Sequence, residues 1–214
     1  MTLPARADSA DPRLLARPIG EMTLAFVDVE TTGFSPRQGD RVCEIAIVRR
    51  VGARVETQFT SLINPECSIG PRAASVNGIT AHMVNQAPCF RDVAAEVSRL
   101  LDGAAFVGHN VGFDHGFVCA ELARVGRALT TTATIDTLAL ARVHLDVPGH
   151  SLGVLAQVLG LASGQHRALG DVGATCGVFD YLVMQLGGWS TPLQAFVGHH
   201  TAPSPWGFRR RRRH

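Results

Sequence analysis

A chain of 214 residues, 46% hydrophobic and 18% charged, is long enough for one globular domain with a proper core. No apolar run approaches the roughly 18 residues of a membrane span, and five scattered cysteines, never spaced as CxxC, argue against a disulfide framework or a zinc site and for a reducing cytoplasm. All twenty basic residues are arginine; without the terminal run Arg209–Arg213 the formal charge of +2 becomes −3, so the body of the chain binds phosphate poorly by charge alone and a nucleic-acid partner would need positive charge from elsewhere, such as a bound metal.

Residues 1–20 mix Arg, Asp and Pro in place of the apolar centre of a secretory signal. They are expected to form a flexible segment ahead of a domain at 21–187. Met22–Glu30 (MTLAFVDVE) reads as a central strand, and DRVCEIAIVRR and ARVETQFTSLI as two more, with Val51 and Gly52 near the turn between them. INPECSIGPRAASVNGIT follows as a loop region. Phe90, Val93, Val97, Leu100 and Leu101 then recur at helical spacing until Gly103 ends the helix.

AAFVGHN is a short apolar strand leading into a helix from about Phe113 to Val125, stopped by Gly126. TATID is another strand, and its Asp136 is placed to cap the helix TLALARVH; Ser151 caps a short helix carrying Leu152, Leu155 and Leu159. A last helix covers Ala168 to Leu186, with Val172, Cys176, Phe179 and Val183 on one face. Residues 188–214, rich in Gly, Pro, Ser and His, are expected to be a weakly ordered tail. The order β-β-β-α-β-α-β-α-α-α predicts an α/β layer fold, a central mixed five-stranded sheet flanked by helices.

The first strand raises the functional question. Side chains alternate faces along a strand, so Asp28 and Glu30 of FVDVETTG point to the side that Leu24 and Phe26 share. Two close carboxylates buried without partners would cost several kcal/mol or hold a proton. Either an arginine pairs with them or they serve a charged ligand. Asp114, in GHNVGFDHGF, falls in the first turn of a helix, where an acid also favours the helix dipole. Asp171, between Gly170 and Gly173 in GQHRALGDVGAT, reads as a mid-helix acid that helix propensity does not explain, and His166 stands at the mouth of that helix. Four carboxylates on three segments, without cysteine or paired histidine, suit Mg²⁺ or Mn²⁺. Two such ions about 3.5–4 Å apart are the usual device for in-line attack on a phosphodiester, and a neutral histidine can take the proton of the attacking water.

DVETTG, HNVGFD and HRALGD, in this order, resemble the three exonuclease motifs of the DEDDh, or DnaQ-like, 3′–5′ exonucleases, a family typified by the proofreading epsilon subunit of bacterial DNA polymerase III. The resemblance runs from about Leu24 to Met184 and includes INPE, the VNGIT loop and DTLALAR. It implies a ribonuclease-H-like fold, two Mg²⁺ ions that Mn²⁺ can replace, and release of 5′-mononucleotides from a 3′ end. By position it implies that Asp28, Glu30 and Asp171 hold the ion that activates water, with Asp28 bridging to a second ion supported by Asp114, and that His166 is the general base. Thr31, Thr32 and Gly33 would set backbone amides against the terminal nucleotide, Gly33 leaving room by lacking a Cβ. Asn110 and Phe113 would border the same pocket. Where the family's loop more often reads VHGIT, this chain has Asn77, which puts a nucleotide contact in this loop in question.

Asp136 reads as a helix cap and His109 as structural; Glu44, on a neighbouring strand, is in reach of the site but outside it. The leading expectation is a metal-dependent 3′–5′ exonuclease acting on single-stranded DNA 3′ ends in proofreading or repair, alone or as a DNA polymerase subunit. One alternative is an RNA exonuclease of the oligoribonuclease or RNase T type. The other is a non-catalytic binding module, which should have lost one of the five site residues. The terminal arginines would add salt-dependent affinity for a polyanion.

Overall fold

The computed structural model describes residues 11–162 and 167–198. Among them five strands, β1 (Thr23–Thr31), β2 (Val42–Val51), β3 (Arg54–Leu62), β4 (Ala105–Gly108) and β5 (Ala133–Asp136), form one sheet in the order β3-β2-β1-β4-β5. The helices are α1 (Pro12–Leu15), α2 (Pro71–Asn77), α3 (Ala81–Val84), α4 (Phe90–Leu101), α5 (Gly112–Arg124), α6 (Thr137–His144), α7 (Leu152–Leu159) and α8 (Ala168–Gln185). β1 runs antiparallel to β2 and parallel to β4, and β4 is parallel to β5, so the sheet is mixed as the sequence predicts.

The alternation of β1 divides the core into two layers. Ala25, Val27 and Val29 pack with Ile45 and Ile47 against α4 and α5. Leu24 and Phe26 pack with Ala46 and Val48 against α6, α7 and α8. Both faces of the sheet are therefore covered, which is why β1 and β2 read as nearly continuous apolar runs. The turn after β2 falls at Gly52, whose φ of 54° and close approach to the Gly20 carbonyl exclude a side chain.

One detail of the pairing positions the site. β1 is paired with β2 from Thr23 to Thr31, but with β4 only from Leu24 to Phe26. Beyond Phe26 the carboxyl end of β1 is open on the β4 side, and the first turn of α5 closes it.

Three expectations need correction. The chain ends are not loose over residues 11–20 and 188–198. Ile19 N–H donates to Thr191 O at 2.8 Å and Leu193 N–H to Arg17 O at 2.9 Å, while Ile19, Leu193 and Phe196 are buried in the core against α8. Residues 1–10 and 199–214, including the arginine run, lie outside the described residues. The loop region after β3 contains two short helices, α2 starting on Pro71 and closed by Gly78 at φ 68°, and α3 capped by the Thr80 hydroxyl. Finally, α8 starts at Ala168 as expected, which puts Asp171 in its first turn, where an acid also suits the helix dipole. Among the described residues no helix is long and apolar enough to cross a membrane.

Candidate active site

Asp28 and Glu30 project from the open end of β1 toward α8. Each offers a carboxylate oxygen that lies, with one from Asp171, within a set spanning no more than 4.8 Å. Asp114 joins from the other layer. It is 4% exposed, and its Oδ1 accepts the Val29 N–H at 3.0 Å, an edge amide of β1 beyond the strand's pairing with β4. The first turn of α5 thus stands in for the missing length of β4, and satisfying that amide is what brings Asp114 between the layers.

Arginine pairing, the bland explanation for the two acids on β1, does not hold. Among the described residues no ion pair involves Asp28, Glu30 or Asp114, while nearby arginines are held by other acids: Arg41 by Glu121, Arg50 by Asp180, Arg167 by Glu44. The carboxyl groups respond accordingly. Burial, then the charges of Asp114, Asp171, Glu30 and Glu44, holds the Asp28 carboxyl well above the usual carboxylate range. Glu30 is pushed up to about 8, by burial first and the Asp171 charge second, with the Asn77 amide pulling the other way. Burial also pushes Asp114 up to about 7, against the backbone N–H bonds it accepts and with help from the charges of Asp136 and Asp171. Converging hard oxygen donors that resist ionisation when metal-free fit a divalent cation of the Mg²⁺ or Mn²⁺ type.

These shifts fix the sign of a pH effect. Folded carboxyls at about 7 and 8 keep protons that the unfolded chain releases near 4. Their contribution to stability is complete below about pH 4 and is lost as pH rises through 7 and 8. In EDTA the melting temperature should therefore fall between pH 5 and 8.5, by about 5 °C or more. Mg²⁺ or Mn²⁺ should restore most of the loss at pH 8.5 and little at pH 5, because ions bind the deprotonated site. Thermal melts at three pH values check this; a melting temperature in EDTA that is flat or rises over the same range contradicts it.

The segment after β1 is ordered by its own side chains. Thr32 N–H donates to Arg41 O at 2.9 Å and Arg41 N–H to the Thr32 hydroxyl at 3.0 Å; the Thr31 hydroxyl donates to Gly33 O at 2.6 Å. A Cβ on Gly33 would lie 2.3 Å from Asp40 Oδ1, and Asp40 Oδ2 accepts the Ser35 N–H at 2.9 Å. A side chain at Gly33 would therefore displace the Asp40 carboxylate, which can turn away only by giving up its bond to the Ser35 N–H, a constraint that stands beside the nucleotide clearance expected of Gly33. Gly33→Ala should push Asp40 off Ser35 and cost about 1–3 kcal/mol of stability. The urea midpoint reads this out, and an unchanged midpoint contradicts it.

Of the other residues expected around the pocket, Asn110 is exposed with φ 70°, its N–H held by Asp136 Oδ1 at 3.0 Å. Phe113 packs against Phe117, ring centroids 4.9 Å apart, at the edge of the core. Asp136 also accepts from Leu138 N–H at 3.0 Å, the cap expected of it, and His109 bonds to Thr137 and the His150 carbonyl, a structural role. Asn77 is buried, and its amide donates to Thr31 O at 3.3 Å, so it braces the end of β1. His166 lies outside the described residues.

Two buried acids, Glu44, which the sequence left outside the site, and Glu121, which it did not single out, hold the helices of the site in place. Glu121 of α5, 1% exposed, takes both Arg41 Nε and Nη2, at 2.7 and 3.0 Å, and the Val42 N–H at 3.2 Å. Glu44 of β2, 3% exposed, takes the Arg167 guanidinium and the Ala168 N–H. The readable signal was a charge inside an apolar strand or on a helix's buried face; the partners were not readable.

A cluster of carboxylates at the carboxyl end of the central strand of a mixed, helix-covered sheet can hold a divalent cation of the kind that serves phosphodiester hydrolysis. The profile of the exonuclease family RNase_T matches residues 25–179, and the chain belongs to this family, the DnaQ-like 3′–5′ exonucleases. It is 40% identical over 163 residues to the 3′-5′ exonuclease DinG of Bacillus subtilis (strain 168), covering 75% of this chain and 18% of that protein. It is 35% identical over 171 residues to a DNA polymerase III subunit epsilon-like protein of Rhodobacter capsulatus, covering 78% of this chain and 24% of that one. The chain thus spans less than a quarter of the length of these relatives. Exonuclease X, solved in complex with 5′-overhanging duplex DNA, superposes with a TM-score of 0.63 at 23% identity, covering 80% of this chain and 98% of that one; this likeness speaks for the fold.

Proposed function

We propose that the protein is a metal-dependent 3′–5′ exonuclease that removes 5′-mononucleotides from single-stranded DNA 3′ ends in the cytoplasm, using two Mg²⁺ ions that Mn²⁺ can replace. The observation that carries the reading is the convergence of Asp28, Glu30 and Asp171 within 4.8 Å, beside a buried Asp114. Membership of the exonuclease family and the names of two relatives, a 3′-5′ exonuclease and a DNA polymerase III subunit epsilon-like protein, support it.

Asp28, Glu30 and Asp171 would hold one ion, with Asp28 shared with a second that Asp114 supports. Bound there, such ions supply a hydroxide nucleophile at neutral pH and stabilise charge on the leaving 3′ oxygen. His166 takes the proton of the attacking water on a ring nitrogen. The new bond is from water oxygen to phosphorus and the bond broken is from phosphorus to the 3′ oxygen, which picks up a proton from solvent; the products are a 5′-mononucleotide and a strand with a new 3′ hydroxyl. Thr31, Thr32 and Gly33 contribute by their fixed backbone, and Asn110 and Phe113 form the rim. Docking on a DNA polymerase is compatible with this reading, as is a stand-alone enzyme.

The test of substrate is direct competition between DNA and RNA of one sequence, both 5′-labelled, in Mg²⁺. Faster shortening of DNA from its 3′ end supports the proposal. Faster shortening of RNA moves the substrate to RNA, and cleavage of neither in Mg²⁺ or Mn²⁺ leaves a binding module.

A further inference from the structure

Asp171 is the one candidate ligand of the convergent set that comes from α8, so its position depends on where that helix begins. The start of α8 is fixed from β2. Glu44 faces Glu30 directly across the β1–β2 pair and is 3% exposed. Its carboxylate accepts Arg167 Nη2 at 2.6 Å and Nε at 3.1 and 3.2 Å, and accepts the Ala168 N–H at 3.1 Å. Arg167, the N-cap of α8, supplies no side-chain cap; Glu44 provides the missing acceptor from another element. The Arg167 carbonyl in turn accepts the Asp171 N–H at 3.0 Å. Three contacts therefore run from β2 to the backbone of Asp171.

A buried acid whose charge acts on two candidate ligands, Asp28 and Glu30, is a costly way to anchor a helix unless that charge is neutralised where it stands. The forked guanidinium does this with two donors, and a point charge such as an ammonium cannot reproduce that fork. Arg167 is half exposed, so it could instead reach toward a substrate phosphate, and a test has to separate the two roles.

We propose that Glu44 and Arg167 act as a positioning pair, setting Asp171 relative to Asp28 and Glu30 and so the affinity of the site for its divalent ions; this rests on the metal-site reading above. The pair touches neither the reacting atoms nor the ions. It acts through the helix start.

The experiment measures Mn²⁺ binding to the full chain without nucleic acid, from the electron paramagnetic resonance signal of free Mn²⁺. It uses wild type, Arg167→Lys, Arg167→Ala, Glu44→Gln and the double variant Arg167→Ala/Glu44→Gln, with melting curves and steady-state kinetics on single-stranded DNA. In Arg167→Lys the Mn²⁺ dissociation constant should rise about 10- to 100-fold. Turnover at low Mn²⁺ should fall in step and recover when Mn²⁺ is raised, with KM for DNA within about twofold. The double variant should bind Mn²⁺ no more weakly than Arg167→Ala alone, as expected of two residues that act through each other. Wild-type Mn²⁺ affinity in a folded Arg167→Lys protein overturns the proposal, as does a raised KM for DNA at unchanged Mn²⁺ affinity, which would mark a direct phosphate contact. If neither arginine variant folds, the pair is a structural anchor and the proposal falls. Wild-type protein that binds no Mn²⁺ removes the metal site itself, a failure seen before any variant is made.

Discussion

Asp28→Ala is expected to abolish turnover, by about 10³-fold or more, while the protein stays folded. The rate term follows from the place of Asp28 in the cluster: it is the carboxylate that all three others press upon, and the one proposed to be shared by both ions. Losing an effect worth several kcal/mol of transition-state stabilisation is at least a thousandfold in rate. The stability term has the opposite sign from an ordinary core truncation. Metal-free, the ionised Asp28 is opposed by burial and by Asp114, Asp171, Glu30 and Glu44, so its removal relieves repulsion. In EDTA at pH 8 the variant should melt at or above the wild-type temperature, and Mg²⁺ should raise it much less than wild type. Activity within tenfold of wild type, or unfolding of the variant in EDTA, would contradict this account of the site.

His166→Ala should cost roughly 10²–10⁴ in rate if the histidine is the general base. Two limbs overlap in the pH profile of such an enzyme, and they can be separated. The carboxyls pushed up to about 7 and 8 must lose their protons to take up ions, so low pH weakens metal binding. More Mg²⁺ competes with those protons and moves that limb to lower pH. Deprotonation of the general base gives a second limb that Mg²⁺ does not move by competition. With the metal site saturated, the wild-type rate should rise through neutral pH and His166→Ala should lose that rise. A variant that keeps the wild-type profile at saturating Mg²⁺ would take the base role away from His166.

The carboxylates were legible because a charge inside an apolar strand breaks a pattern that is otherwise easy to read. Asp28 and Glu30 stand out against Leu24 and Phe26 on one face of β1, and the two-layer core follows the same alternation. What holds Asp114 was not legible. Its bond to the Val29 amide exists because β4 pairs with β1 for only three residues, and pairing length depends on tertiary structure. The Glu44–Arg167 contact spans 123 positions, so the buried acid showed in the sequence but its partner did not. The chain ends were misread for a related reason. Ile19, Leu193 and Phe196 stand alone or in a run of three amid Gly, Pro and polar residues, too short for any periodicity, yet each fills a place in the core. α2 and α3, of seven and four residues, are likewise too short to show a helical repeat.

The proposed activity, ions held by these acids cutting a nucleic-acid chain from its 3′ end, is open to a simple assay. It is tested most directly by incubating wild type and Asp28→Ala with 5′-labelled single-stranded DNA in Mg²⁺ and then in EDTA. The expected result is a ladder that shortens stepwise from the 3′ end with 5′-mononucleotide products, present only for wild type in Mg²⁺. A ladder that persists in EDTA or in the variant, or internal cleavage without stepwise shortening, would contradict it.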